Sequence, residues 1–107
     1  MKAFVCHRFF EDLSGVFPGD RPKPEPGPAE VLVRVRACGL NYRDMMLCQG
    51  RYQLKPALPF VPGMDLAGEV AGVGEGVTAF SEGDAVAGTV RPGALAEFAA
   101  VPSDALL

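Results

Sequence analysis

Glu30-Val31-Leu32-Val33-Arg34-Val35-Arg36-Ala37-Cys38 is the most regular stretch of this chain. Val31, Val33, Val35 and Ala37 fall on one parity, and Leu32, Arg34, Arg36 and Cys38 on the other. A period of two puts the first set on one face of a β-strand. The two arginines imply that the second face is at least partly wet.

Toward the N-terminus, Phe17 to Pro28 carries Pro18, Pro22, Pro24, Pro26 and Pro28. Alternating prolines remove backbone donors and favour an extended, solvated conformation. That segment reads as a surface connector, and Met1 to Cys6 before it as a first strand. Toward the C-terminus, Asn41 to Gln49 is the one convincing helix. Asn41 suits the N-cap, Asp44 lies three residues on where a carboxylate meets free N–H groups, and Gly50 can end it. Tyr42, Met45, Met46 and Cys48 then project at helical spacings, consistent with packing.

Arg51 to Gly63 holds Pro56, Pro59 and Pro62 and cannot be regular. Leu66 to Val73 reads as a strand in which Gly68 and Gly72 mark bulges or close backbone approaches. Gly74-Glu75-Gly76 and Gly83-Asp84 are turns, the second leading into a strand from Ala85 to Val90. Pro92-Gly93 turns the chain into a last strand, Leu95 to Val101. The sum is a mainly β fold, a partly open β-barrel with one short helix.

Composition agrees. The 107 residues suffice for one domain and one core. With 13 glycines and 10 prolines the chain is richer than usual in residues that break helices. A net charge of −3 argues against nucleic-acid binding, which calls for a basic patch. No apolar run approaches the ~20 residues of a membrane span, and Met1 to Arg8 is too short for a secretory apolar region. A cytoplasmic protein with no membrane partner is the expectation. Cys6, Cys38 and Cys48 cannot all pair and show no C-x-x-C spacing, so they read as reduced, buried small side chains. His7 has no second ligand nearby and reads as an ordinary histidine.

The order of these turns and strands resembles the N-terminal, GroES-like substrate domain of the medium-chain dehydrogenase/reductases. The stretches that carry the resemblance are Glu25-Pro26-Gly27-Pro28 before Glu30 to Val35, then Gly39-Leu40-Asn41-Tyr42-Arg43-Asp44. Pro62-Gly63-Met64-Asp65-Leu66-Ala67-Gly68-Glu69-Val70, Val73-Gly74-Glu75-Gly76-Val77 and Gly83-Asp84-Ala85-Val86 follow at the family's spacing. The resemblance covers residues 1–107 as one substrate domain. The nucleotide-binding Rossmann domain is missing, and the apolar end Ala105-Leu106-Leu107 looks truncated.

Zinc alcohol dehydrogenases of this superfamily place a cysteine where this chain has Asn41. They place a proton-relay hydroxyl at Arg43 and a histidine at Met64. An amide and a thioether are poor zinc ligands, so no metal is expected. Asn41, Tyr42 and Asp44, with Gly50-Arg51-Tyr52, resemble instead the zinc-independent quinone oxidoreductases. The resemblance implies hydride transfer from NADPH to a quinone or activated enone. It implies Asn41, Tyr42 and Tyr52 as catalytic donors, and Asn41, Tyr42 and Arg43 as cofactor contacts. It also implies a small-molecule substrate and a homodimer when intact. Plainer readings stand beside these: Asn41 as a helix cap, Tyr52 as a packing aromatic, Arg43 as a solvated side chain. An enoyl-thioester reductase is a close alternative, since such domains share the Gly-Leu-Asn-aromatic-Arg-Asp stretch. A non-catalytic binding module of the same fold is a more distant one. Gly72, Gly74 and Gly76 spell G-x-G-x-G, but Val77 to Gly83 is no helix and no βαβ unit surrounds it, so this is not a dinucleotide turn. The chain by itself is therefore expected to be inactive and to bind no cofactor.

Overall fold

Short runs rich in valine and alanine, separated by glycine and proline, form six antiparallel strands in the computed structural model, which describes all 107 residues. These are β1 (Lys2–Cys6), β2 (Val16–Asp20), β3 (Glu30–Gly39), β4 (Asp65–Val73), β5 (Ala85–Thr89) and β6 (Phe98–Pro102). One α-helix, α1 (Tyr42–Cys48), leaves β3, and a single 3-10 turn, Ser103–Ala105, follows β6. Strands β5-β4-β3-β6 make a four-stranded sheet and β1-β2 a separate pair. Bridges Ala3–Ala96, Cys6–Phe60 and Gly88–Leu106 stitch these pieces into a barrel that does not close. No helix is long and apolar enough to cross a membrane.

The central strand, β3, begins as its alternation predicts and then departs from it. Val31 and Val33 are fully buried, and Arg34 and Arg36 are exposed. The register against β4 slips between Val35 and Ala37. Such a bulge inverts the faces beyond it. Ala37 consequently faces solvent, and Cys38 packs against the core. Leu32, assigned to the wetter face, is also buried. Gly68 lies opposite this irregularity, where a Cβ would fall on the Arg34 carbonyl oxygen. The close approach expected of that glycine is present.

Two other boundaries differ. Val16–Asp20 is a strand paired with β1 rather than part of a free connector. Pro18 is tolerated there because β2 is an edge strand, where a missing N–H breaks no ladder on its open side. The last strand starts at Phe98 rather than Leu95. Leu95 and Glu97 instead make isolated backbone bonds to Phe4 and Lys2.

The apolar interior is divided. The larger cluster fills the barrel with Val31, Val33, Leu66, Val70, Val86, Val90, Ala94, Ala99, Val101 and Leu106. A smaller one, Cys6, Leu47, Cys48, Phe60 and Met64, lies under α1. This second cluster seats the helix at the barrel's open corner.

Candidate active-site corner

Sheet register places the first residue of β4 at the centre of the corner. Asp65 pairs with Gly39, the last residue of β3, and with Thr89, the last of β5. From Gly39 the chain passes through Leu40 to Asn41, whose extended backbone (φ −125°, ψ 166°) caps α1. The Asn41 N–H donates to Asp44 Oδ2 at 2.8 Å, the Asp44 half of a capping box. At the other end Gln49 is the C-cap and Gly50, at φ +73°, leaves the helix in the left-handed region.

Asp65 gathers three donors, two from the start of α1 and one from β5. Its Oδ2 accepts the Asn41 Nδ2–H at 2.6 Å. Its Oδ1 accepts Thr89 Oγ1–H at 2.8 Å and Arg43 Nη2–H at 2.9 Å. The Thr89 hydroxyl, then the Asn41 amide and the Arg43 charge, hold the Asp65 carboxyl below its ordinary range. Both carboxylate oxygens are engaged, and the guanidinium balances the charge.

Below this cluster the polar groups are dry. Asp44 is 5% exposed, and its Oδ1 has no partner. Burial, with Cys6 and Asp44 nearby, pushes the Cys48 thiol up to about 12. Burial also raises Cys6 and Cys38, the latter with help from the Asp44 and Asp65 charges. All three cysteines are free. None is a thiolate nucleophile at neutral pH.

A cleft of about 400 Å³ opens beside the helix N-terminus. Phe4, Leu13, Leu40, Met45 and Leu95 give it apolar walls, and Asn41 and Asp44 are its polar lining. A wider groove of about 660 Å³ runs along the proline segments, including Pro22, Pro56 and Pro92, and includes none of the predicted site residues.

The predicted residues are thus treated unequally. Asn41 lines the cleft, and it shares Asp65 with Arg43. Tyr42 opens the helix with 69% of its surface exposed. Tyr52 is half-buried and packs against the smaller core. Met64 is buried in that same core. No three His, Cys, Asp or Glu side chains cluster where they could hold a metal. His7 stacks on Phe17 with ring centroids 4.1 Å apart, a packing role. No helix follows Gly72, Gly74 and Gly76. Sequence reading missed Asp65 and Thr89. Asp65 stood inside a quoted stretch, but only the three-strand register brings it to Asn41.

The alcohol dehydrogenase GroES-like domain pattern matches residues 27–107. A quinone oxidoreductase-like protein 2 homolog from Nematostella vectensis is 47% identical over 81 residues, which is 75% of this chain and 22% of that protein. The structure of human synaptic vesicle membrane protein VAT-1 homolog-like protein superposes with a TM-score of 0.96 at 34% identity, covering 100% of this chain and 34% of that one. The quinone oxidoreductase of Thermus thermophilus, whose complex with NADPH is also known, superposes at 0.80 with 39% identity, over 100% of this chain and 32% of that one. The chain spans about a fifth of the curated relative and a third of each solved structure. From the match over residues 27–107, the chain belongs to the alcohol dehydrogenase GroES-like domain family, and its likenesses are to quinone oxidoreductase and VAT-1 relatives.

Proposed function

We propose that this chain is the substrate-side domain, residues 1–107, of a longer zinc-independent oxidoreductase that reduces a quinone or activated enone with NADPH. The observation that carries this reading is Asn41: an exposed carboxamide at an apolar cleft, its orientation held by Asp65. NADPH, bound mainly by a Rossmann domain outside these residues, supplies the hydride. As the acceptor carbonyl is reduced, negative charge gathers on its oxygen, where a fixed donor lowers the barrier. Asn41 retains a second amide N–H for that purpose, and Tyr42 and Tyr52 carry phenol O–H groups. A quinone or enone accepts hydride readily enough that donors can stand in for a Lewis acid.

The residues do not suit zinc. Asn41 and Met64 offer an amide and a thioether, both poor ligands. Asp65, the nearby carboxylate, already accepts three hydrogen bonds. Toward NADPH the fit is with the ring end. Asn41 and Tyr42 are exposed and able to face a nicotinamide, whereas Arg43 is neutralised by Asp65 and suits a phosphate less well. The same reading makes the intact protein a homodimer acting on a small neutral molecule.

The test is steady-state NADPH oxidation by the full-length protein with 1,4-benzoquinone and with an enoyl thioester, alongside elemental analysis of chelator-free material. Turnover of the quinone without bound zinc is the expected result. Stoichiometric zinc, or no turnover of either acceptor, would overturn the reading.

A further inference from the structure

Helix capping at this corner leaves one donor without a task. The Asn41 backbone N–H goes to Asp44 Oδ2, and the Asp44 N–H reaches the Asn41 carbonyl at 3.0 Å. The carboxamide nitrogen, a donor only, has no place in that cap. The Asn41 side chain also faces the Asp44 N–H as the other half of the capping box, and an amide turned the other way would present its oxygen to the cleft, where it would repel a developing oxyanion.

From this we infer that Asp65 is the positioning residue for Asn41, fixing which end of the carboxamide can serve an oxyanion; the inference rests on the function proposed above. A carboxylate accepts and does not donate, so only Nδ2 can meet Asp65 Oδ2 at 2.6 Å. Nδ2 carries two hydrogens, and the second stays available to a ligand. Asp65 is itself fixed on two sides. Thr89 Oγ1 ties it to β5, and Arg43 Nη2 ties it to the helix that Asn41 opens. Arg43 has a second task, since an unbalanced carboxylate beside Asn41 would oppose any negative charge forming nearby. The guanidinium 2.9 Å from Oδ1 removes that penalty. The amide, the carboxylate, the cation and the hydroxyl act as one unit, in which Asp65 touches no substrate.

Such a unit predicts non-additivity. The experiment compares the full-length wild type, Asn41→Ala, Asp65→Asn and the double variant, by kcat and KM for benzoquinone with saturating NADPH. Thermal unfolding of the same four proteins is recorded in parallel. Asp65→Asn keeps the shape, but its amide can turn an N–H toward Nδ2 and let Asn41 rotate. Its expected effect is a fall in kcat of roughly 10- to 100-fold, at or below the roughly 10²- to 10³-fold cost of removing an oxyanion donor outright, with KM changed much less. In the Asn41→Ala background the same change is expected to cost almost nothing. Losses that multiply in the double variant, or an unchanged kcat in Asp65→Asn, would overturn the inference.

Should Asp65→Asn not fold, Thr89→Val removes one donor from the same carboxylate. A smaller kcat loss that vanishes in the Asn41→Ala background supports the positioning role, and one that persists there contradicts it. Should the wild type reduce no quinone, the proposed function falls and the unfolding data judge the inference alone. Additive shifts in Tm would then refute the Asn41–Asp65 coupling, and non-additive shifts would uphold it.

Discussion

The barrel interior and the corner under α1 are built on different principles. Ten buried residues fill the barrel, and every one is valine, leucine or alanine. They come from repeated strands whose ladders satisfy the backbone. The corner draws Cys6 from β1, Leu47 and Cys48 from α1, and Phe60 and Met64 from the connector between α1 and β4, with Tyr52 and Leu54 packed at the edge. Above it lie a buried carboxylate, Asp44, and the Asp65 cluster. One region gains stability from repetition. The other brings dissimilar side chains together at one point, as a binding site requires.

The largest expected effect tests that contrast at its apolar base. Leu47 is 1% exposed and is the largest fully buried side chain. Leu47→Ala should cost about 2–5 kcal/mol, because the mixed packing around it cannot collapse completely. Val33→Ala, in the barrel, should cost roughly 2 kcal/mol for the methyl groups removed. Denaturant titration of both variants measures the difference. If Val33→Ala proves the costlier change, the helix seat is not the tighter-packed of the two regions.

Much of the barrel was legible in the sequence, and the reasons are local. Val31 and Val33 lie inward and Arg34 and Arg36 outward as their alternation predicts, although Leu32 between them is buried too, and the turns at Gly74 to Gly76 and Gly83-Asp84 are marked by their glycines. The bulge between Val35 and Ala37 was not legible, because it is a property of pairing with β4 rather than of β3 alone. β2 was obscured by Pro18, whose tolerance depends on an edge position that only tertiary structure reveals. At the corner, Asn41 and the helix it caps were readable from residue type and spacing. Asp65 and Thr89 were not, since their meeting with Asn41 requires the registers of β3, β4 and β5 together. Leu47, hidden behind the more conspicuous methionines, proved to be the buried anchor of the helix.

The cysteines offer a chemical way to separate the regions. Cys6 and Cys48 are buried in the corner, whereas Cys38 at the end of β3 is only half-buried. In native protein near pH 8, iodoacetamide should label Cys38 first and leave Cys6 and Cys48 essentially unmodified, with peptide mass spectrometry as the readout. Rapid labelling of Cys48 would mean that the corner opens readily. A thiol raised in the folded state favours folding below its unfolded pKa. The Cys48 contribution is therefore complete at neutral pH and declines as pH rises from about 9, its ordinary value, toward about 12.

The smallest expected effect lies at acid pH. Asp65 is held below its usual range by Thr89, Asn41 and Arg43, and Glu69 by Arg36. Depressed carboxyls favour folding above their unfolded pKa and lose that contribution as pH falls through the folded value. Their share should therefore persist down to about pH 4 and disappear only below it. Comparing unfolding midpoints of wild type and Asp65→Asn from pH 6 to pH 2 tests the sign. A difference that shrinks as pH drops below 4 is expected, and one that grows there would contradict the assignment.

The claim that unites the corner is that Asn41 donates to the reduced carbonyl at a site without zinc. Its most direct test is kcat and KM for full-length wild type and Asn41→Ala, with NADPH and benzoquinone, on protein assayed for zinc. The account predicts zinc-free protein and a kcat loss on the order of 10², with KM much less affected. Wild-type kinetics in the variant, or stoichiometric zinc in the parent, would contradict it.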